Sequence, residues 1–295
     1  MFRPQLTSRV SRCAPGFGRT RARRPAPLPG PRSRCGLRRG EGLTQVARSE
    51  GAWVLRLRRQ APPRVRLFCF PYAGGSAAVY RGWLDALPAH VEVCAVRLPG
   101  REARLSEAPF TRGEDLVPAV AAALLPLLDM PYALFGHSMG AVAAFELARQ
   151  WRRQGVCLPV RLFVSGARAP ERPNPDPPLG HLSDREFVAE VRRRYDAIPT
   201  GVLENPELLQ LLLPSLRADF AIFENYVYRA EAPLDCPISA FGGQDDARVC
   251  ADDVAAWGTH TTRPVAIRMF PGDHFFIHGS EQAVQRTVSE DLALA

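Results

Sequence analysis

The sequence predicts an α/β fold built on a mostly parallel central sheet with helices on both faces. Three observations carry that expectation. Short runs rich in apolar and β-branched residues recur along the chain, and several are apolar almost throughout, as strands covered on both faces must be. Segments of helical character alternate with these runs. One run leads directly into a Gly-x-Ser-x-Gly pattern at Gly136–Gly140 and then into a further apolar helix. The chain has 295 residues, 46% of them hydrophobic, so a sizeable core is within reach.

Residues 1–51 are rich in Arg, Pro and Gly with no sustained apolar period, and they are expected to form a disordered basic extension. The formal net charge of +8 is concentrated at this end. Residues 1–60 hold fifteen Arg against Glu41 and Glu50, which leaves the remaining 235 residues at about −5. A nucleic-acid or membrane-surface role suggested by the charge therefore applies to the extension alone. Arg23-Arg24 is followed by PAPLPG where an export signal needs an apolar segment, so a twin-arginine signal is rejected. A transit peptide and a wrongly assigned upstream start both remain compatible with this stretch. The seven Cys show neither CxxC nor Cys/His metal spacing, and Cys69, Cys94 and Cys236 lie in or beside strand-like runs. Buried reduced thiols and a cytoplasmic location follow as expectations. No apolar run reaches the ~18 residues of a membrane helix.

Order is expected to begin near Trp53, giving a domain over 52–295. Strands are predicted at 64–70, 91–98, 132–135, 161–166, 237–241 and 265–270, with helices near 116–128, 141–152 and after Ser280. Residues 169–233 break the alternation and are read as a helical lid inserted over the carboxyl edge of the sheet. Within it, Ser183 and Glu186 have the spacing of a helix capping box. Asn205, Pro206 and Glu207 supply an N-cap, a proline for the first helical position and an acid beside the helix dipole. Pro214 is expected to end or kink that helix before the segment SLRADFAIFENYVY resumes it.

The chemistry centres on Ser138. A sharp strand-to-helix turn forces the serine backbone into strain and projects its hydroxyl above the sheet edge, and glycines two residues to either side leave room for the turn. The pattern resembles the nucleophile elbow of the α/β-hydrolase fold, in which an acid and then a histidine are expected on later strand ends. FGGQDD after the strand at 237–241 offers Asp246 as the acid, with Asp245 as its close competitor. FPGDHFF after the strand at 265–270 offers His274 as the base, with His278 as the alternative. His137 is read as a packing or supporting residue, since neighbours at an elbow point apart, and Asp273 as a turn former. His90, His181 and His260 are read as solvated surface residues. The tetrahedral intermediate needs two backbone N–H donors. They are assigned to Met139, which follows the nucleophile, and to Ala73 in the loop Phe70–Ser76. With no dinucleotide fingerprint and no metal motif, no cofactor is expected.

The blocks FCFPYAGGSA (68–77), RLPGRE (97–102), FGHSMGA (135–141), SGARAP (165–170), LRADF (216–220), FGGQDD (241–246) and FPGDHFF (270–276) resemble, in order, those of type II thioesterases. These stand-alone α/β-hydrolases remove stalled or wrong acyl groups from the phosphopantetheine arm of carrier proteins in polyketide and non-ribosomal peptide biosynthesis. The resemblance spans about residues 52–290. It implies Ser138, Asp246 and His274 as the triad, Ala73 and Met139 as the oxyanion hole, and an acyl-loaded carrier protein as partner; a monomer is expected. Carrier proteins are usually acidic, which gives Arg185, Arg192, Arg193 and Arg194 either a docking role or only a solvated face. Leu208, Leu209, Leu211, Leu212 and Leu213 line an acyl channel or pack the insertion onto the body. A general esterase or acyltransferase of the same fold, and a non-catalytic binding module, are the competing readings.

Overall fold

Apolar strands with no polar face must be covered on both sides, and the computed structural model shows how. It describes residues 52–57, 62–195 and 198–294. The basic extension read over 1–51 lies outside the described residues. Strands β1 (Val54–Leu57), β2 (Val65–Phe70), β3 (Val91–Val96), β4 (Tyr132–His137), β5 (Arg161–Ser165), β6 (Ile238–Gly243) and β7 (Val265–Phe270) form one sheet in the order β1-β3-β2-β4-β5-β6-β7. Every neighbouring pair is parallel except β1 with β3. Every residue of β2 to β6 is buried.

The helices are α1 (Trp83–Ala86), α2 (Gly113–Leu124), α3 (Met139–Arg153), α4 (Asp184–Tyr195), α5 (Thr200–Leu203), α6 (Pro206–Glu224), α7 (Ala251–Ala255), α8 (Phe276–Gly279) and α9 (Glu281–Ala293). Side chains alternate along β2. Phe68 and Phe70 join the layer that holds α2, α3 and Trp257, whereas Leu67 and Cys69 join the one that holds Trp83, Phe276, Val284 and Val288. A third apolar cluster, with Phe187, Val191, Leu213, Leu216 and Phe220, joins α4 to α6 and has Ala73 packed against it.

The chain leaves β2 for β3 on one side and later returns to β4 on the other. The loops after β2 and β4 therefore diverge at the carboxyl edge, and such a switch point is where open α/β sheets bind ligands. Loop 71–76 and the start of α3 sit there.

Two local expectations hold in detail. Glu186 Oε2 accepts from the Ser183 N–H at 3.0 Å while Ser183 Oγ accepts from the Glu186 N–H at 3.4 Å, which closes the capping box of α4. Asn205 Oδ1 accepts from the Leu208 N–H at 3.0 Å and starts α6 with Pro206 in its first turn. Three expectations need correction. β1 was not foreseen as a strand. Helix α6 runs unbroken through Pro214 and stops at Glu224, short of the helical run expected to continue to Tyr228. An interior proline costs about 3 kcal/mol. Burial of Leu213, Leu216 and Phe220 on one face offsets it, at about 1.5–3 kcal/mol for each large side chain. His260, expected on the surface, is buried among Phe145, Trp257 and Tyr228, with Nε2 against the Glu171 carboxylate. It follows Trp257, which is wholly enclosed and draws the turn inward. Among the described residues, no helix is long and apolar enough to cross a membrane.

Candidate active site

Ser138 links β4 to α3 with φ 54° and ψ −119°, a left-handed backbone that side-chain-bearing residues seldom adopt. Its glycine neighbours make the turn possible. A Cβ on Gly136 would lie 2.1 Å from the Gly140 carbonyl oxygen, and one on Gly140 would lie 2.3 Å from that of Phe70. No side chain fits either position.

The later strands bring the partners. The loops after β6 and β7 interlock, with the Gln244 N–H donating to the Phe270 carbonyl at 2.8 Å and the Asp245 N–H to that of Gly272 at 2.9 Å. This sets His274 Nε2 at 3.0 Å from Ser138 Oγ and His274 Nδ1 at 2.8 Å from Asp246 Oδ2. Asp246 Oδ1 accepts from the backbone N–H groups of Arg248 and Val249 at 2.8 and 3.1 Å. An ionised carboxylate can only accept, so Nδ1 carries the imidazole proton and Nε2 is left to take one from Ser138. Of the two adjacent aspartates only Asp246 faces the histidine, and Asp245 is exposed. Asp273 Oδ1 accepts from the Phe275 N–H at 2.8 Å, the turn-forming role expected of it. His278 Nε2 pairs with the Tyr72 hydroxyl at 2.9 Å.

His137 holds the backbone of His274. It is fully buried, with Nε2 at 2.9 Å from the His274 carbonyl oxygen and Nδ1 at 2.9 Å from Ser165 Oγ. The carbonyl must accept, so Nε2 bears the proton and Nδ1 accepts from the serine hydroxyl. Burial pushes its pKa well below the ordinary value of 6.5, and the nearby His274 and His278 push the same way. The unfolded chain then takes up a proton that the folded chain refuses. Stability conferred by His137 is full above pH ~6.5 and declines below it, by at most ~1.4 kcal/mol per pH unit. In urea unfolding, the stability advantage of wild type over His137→Gln is expected to shrink between about pH 7 and pH 5. A constant gap would mean that His137 takes up protons alike in both states.

Tyr72, Ala73, Ser138, Met139, Tyr195, Phe220, Phe223, His274 and Phe275 enclose a pocket of about 30 Å³ over the serine. Met139 opens α3, so its N–H has no acceptor within the helix. Both backbone donors assigned from sequence, Ala73 and Met139, thus border the same pocket as Ser138. Met139 and Phe223 also line a groove of about 800 Å³ between α2, α3 and the end of α6. The leucines of α6 contribute little to either space. Leu213 is buried in the cluster with Phe187, Leu208, Leu209 and Leu212 are half-buried, and Leu211 is 51% exposed. Of the α4 arginines, Arg194 is turned inward onto Glu190 and the Pro177 carbonyl, while Arg185, Arg192 and Arg193 are exposed. Tyr195, Phe220 and Phe223 were not singled out from the sequence as pocket residues.

Together the sheet order, the elbow after β4 and the strand ends that meet it define a hydrolase of the α/β-hydrolase fold. Known proteins agree. A family model described as a thioesterase domain matches residues 65–292. Gramicidin S biosynthesis protein GrsT of Aneurinibacillus migulanus is 40% identical over 242 residues, which cover 82% of this chain and 94% of that protein. Thioesterase PikA5 of Streptomyces venezuelae is 37% identical over 243 residues, with 82% and 86% covered. The solved structure of the type II thioesterase BorB, from the borrelidin biosynthetic cluster, matches with a TM-score of 0.73 at 36% identity and covers 82% of this chain and 97% of BorB. The chain belongs to the thioesterase family, alongside type II members, and is an enzyme that hydrolyses thioesters.

Proposed function

We propose that this enzyme releases acyl groups from the phosphopantetheine arm of carrier proteins in polyketide or non-ribosomal peptide assembly, with Ser138, His274 and Asp246 as its triad. The observation that carries the reading is the unbroken hydrogen-bond chain from Ser138 Oγ through His274 to Asp246, at 3.0 and 2.8 Å. Ser138 Oγ attacks the thioester carbonyl carbon as His274 Nε2 takes its proton, and Asp246 stays ionised beside the imidazolium. The developing oxyanion is received by the Met139 and Ala73 N–H groups. Collapse expels the phosphopantetheine sulfur, which takes the proton from His274. Water then repeats the sequence on the acyl-serine and releases the acid.

The carrier-protein partner is supported by relatives named for gramicidin S biosynthesis and the borrelidin cluster. Segment 169–233 acts as the lid, since α6 supplies Phe220 and Phe223 to the pocket wall. The enzyme works as a monomer in the cytoplasm without nucleic acid or membrane, and buried thiols outside any disulfide at Cys69 and Cys236 suit a reducing compartment. In the test, the wild-type enzyme is given a loaded carrier protein and a p-nitrophenyl ester of the same acyl group. The loaded carrier is expected to be the better substrate, and a strong preference for the ester would sink the proposal in favour of a general esterase.

The acyl chain extends past Phe223 into the groove between α2 and α3. Phe223→Ala joins the two spaces and is expected to raise kcat/KM for long acyl chains over short ones, on the order of tenfold. Rates across an acyl-length series measure it.

A further inference from the structure

Two of the sequence blocks named above, RLPGRE and LRADF, contribute nothing to the triad, and the structure joins them. Arg101 and Asp219 are both buried, at 5% and 1% exposure. The guanidinium forks onto the carboxylate, with Nη2 at 2.6 Å from Oδ1 and Nη1 at 2.7 Å from Oδ2. Each partner also holds the backbone beside Ala73. Asp219 Oδ2 accepts from the Gly74 N–H at 2.8 Å, and Arg101 Nη1 donates to the Gly75 carbonyl at 2.8 Å.

The local geometry gives these bonds leverage. The Gly75 N–H donates to the Tyr72 carbonyl at 2.8 Å, which closes a four-residue turn with Ala73 and Gly74 at its centre. Gly74 has φ +77°, the conformation the third residue of a type II turn requires. The alternative type I turn needs the central peptide to flip, and a flip would turn the Gly74 N–H away from Asp219. A Cβ on Gly74 would stand 2.7 Å from Leu216 Cδ1, so the turn is seated directly on α6. Leu216, Asp219, Phe220 and Phe223 share one face of that helix, and the two phenylalanines wall the Ser138 pocket. Stability alone is a poor reason for the pair, because a buried ion pair is often replaceable by apolar residues at no loss.

We infer that Asp219, held by Arg101, is a positioning residue that fixes the turn at 72–75 and thereby aims the Ala73 N–H at the oxyanion. The insertion that covers the site thus also builds part of its catalytic machinery. This inference rests on the reading of Ser138 as nucleophile and Ala73 as donor.

The test uses the full chain and three measurements on Asp219→Asn and on the double variant Arg101→Leu/Asp219→Leu, which leaves no unpaired charge. These are kcat and KM on an acyl-phosphopantetheinyl substrate, and binding of two analogues of it. A trifluoromethyl ketone adds Ser138 Oγ to its carbonyl carbon, the proton passing to His274, and presents an oxyanion. A thioether lacking the carbonyl reports ground-state binding alone. Loss of one oxyanion donor lowers turnover by about 10²–10³-fold, so a misaimed donor is expected to lower kcat by ~10–100-fold with KM within about twofold. Ketone affinity should fall by the same factor as kcat/KM, with thioether affinity unchanged. The inference is overturned if the double variant keeps wild-type kcat, or if both analogues weaken together. It is equally overturned if neither variant folds by circular dichroism, which would assign the pair to the fold. Ser138→Ala serves as the control. Ketone binding undiminished by it would instead defeat the underlying assignment of the nucleophile, whatever Asp219 does.

Discussion

Ser138→Ala is expected to lower acyl release from a loaded carrier protein by at least about 10⁴-fold, since removing the nucleophile of a Ser–His–Asp enzyme strands the other two members. The fold should survive, because alanine keeps the Cβ and deletes only the hydroxyl that faces His274 Nε2. Single-turnover release from a carrier charged with one acyl group is the measurement. Residual turnover within tenfold of wild type would mean that His274 activates water directly and that no acyl-serine forms. Labelling by a fluorophosphonate probe should disappear with the hydroxyl, which separates a lost nucleophile from a lost binding site.

Asp246→Asn is expected to cost about 10⁴-fold in kcat, whereas Asp245→Asn should stay within about twofold of wild type. The pair of variants exploits a difference of one position. Asp246 accepts a hydrogen bond from the Nδ1–H of His274 at 2.8 Å and is braced by two backbone N–H groups, so an amide there would favour the imidazole tautomer that cannot accept from Ser138. Asp245 points outward and has no comparable task. Rates for the two single variants on the same loaded carrier decide the matter. An equal loss at both positions would show that the loop, and not one carboxylate, is what the base depends on.

Much of the fold was legible because its information is local. Five strands, β2 to β6, are apolar-rich runs buried along their whole length, and caps such as Ser183 with Glu186 and Asn205 act within one helical turn. The proposed triad of Ser138, Asp246 and His274 could be put forward from sequence for a related reason, since each stands where a recognisable strand ends. What escaped notice depends on distant partners. VLRL at 54–57 is short and mixed in polarity, and it becomes a strand only by pairing antiparallel with β3. His260 looks like a polar turn residue until Trp257 carries it inward. Asp219 and Arg101 lie 118 residues apart and reveal their purpose only once α6 rests on the turn after β2. Pro214 does not end α6, because the packing of that helix's apolar face overrides the local rule.

The backbone at Ser138 has a consequence for heat resistance. Its φ of 54° with ψ of −119° costs a residue with a side chain about 1–3 kcal/mol, which is appreciable against the roughly 5–15 kcal/mol that separates folded from unfolded domains. Glycine adopts such angles freely, and its extra freedom in the unfolded chain takes back only about 0.5–1 kcal/mol. The chain would therefore melt at a higher temperature with Ser138→Gly than in its working form. Activity and thermal endurance are set against each other at a single residue, and any stabilised form of this enzyme must gain its degrees elsewhere.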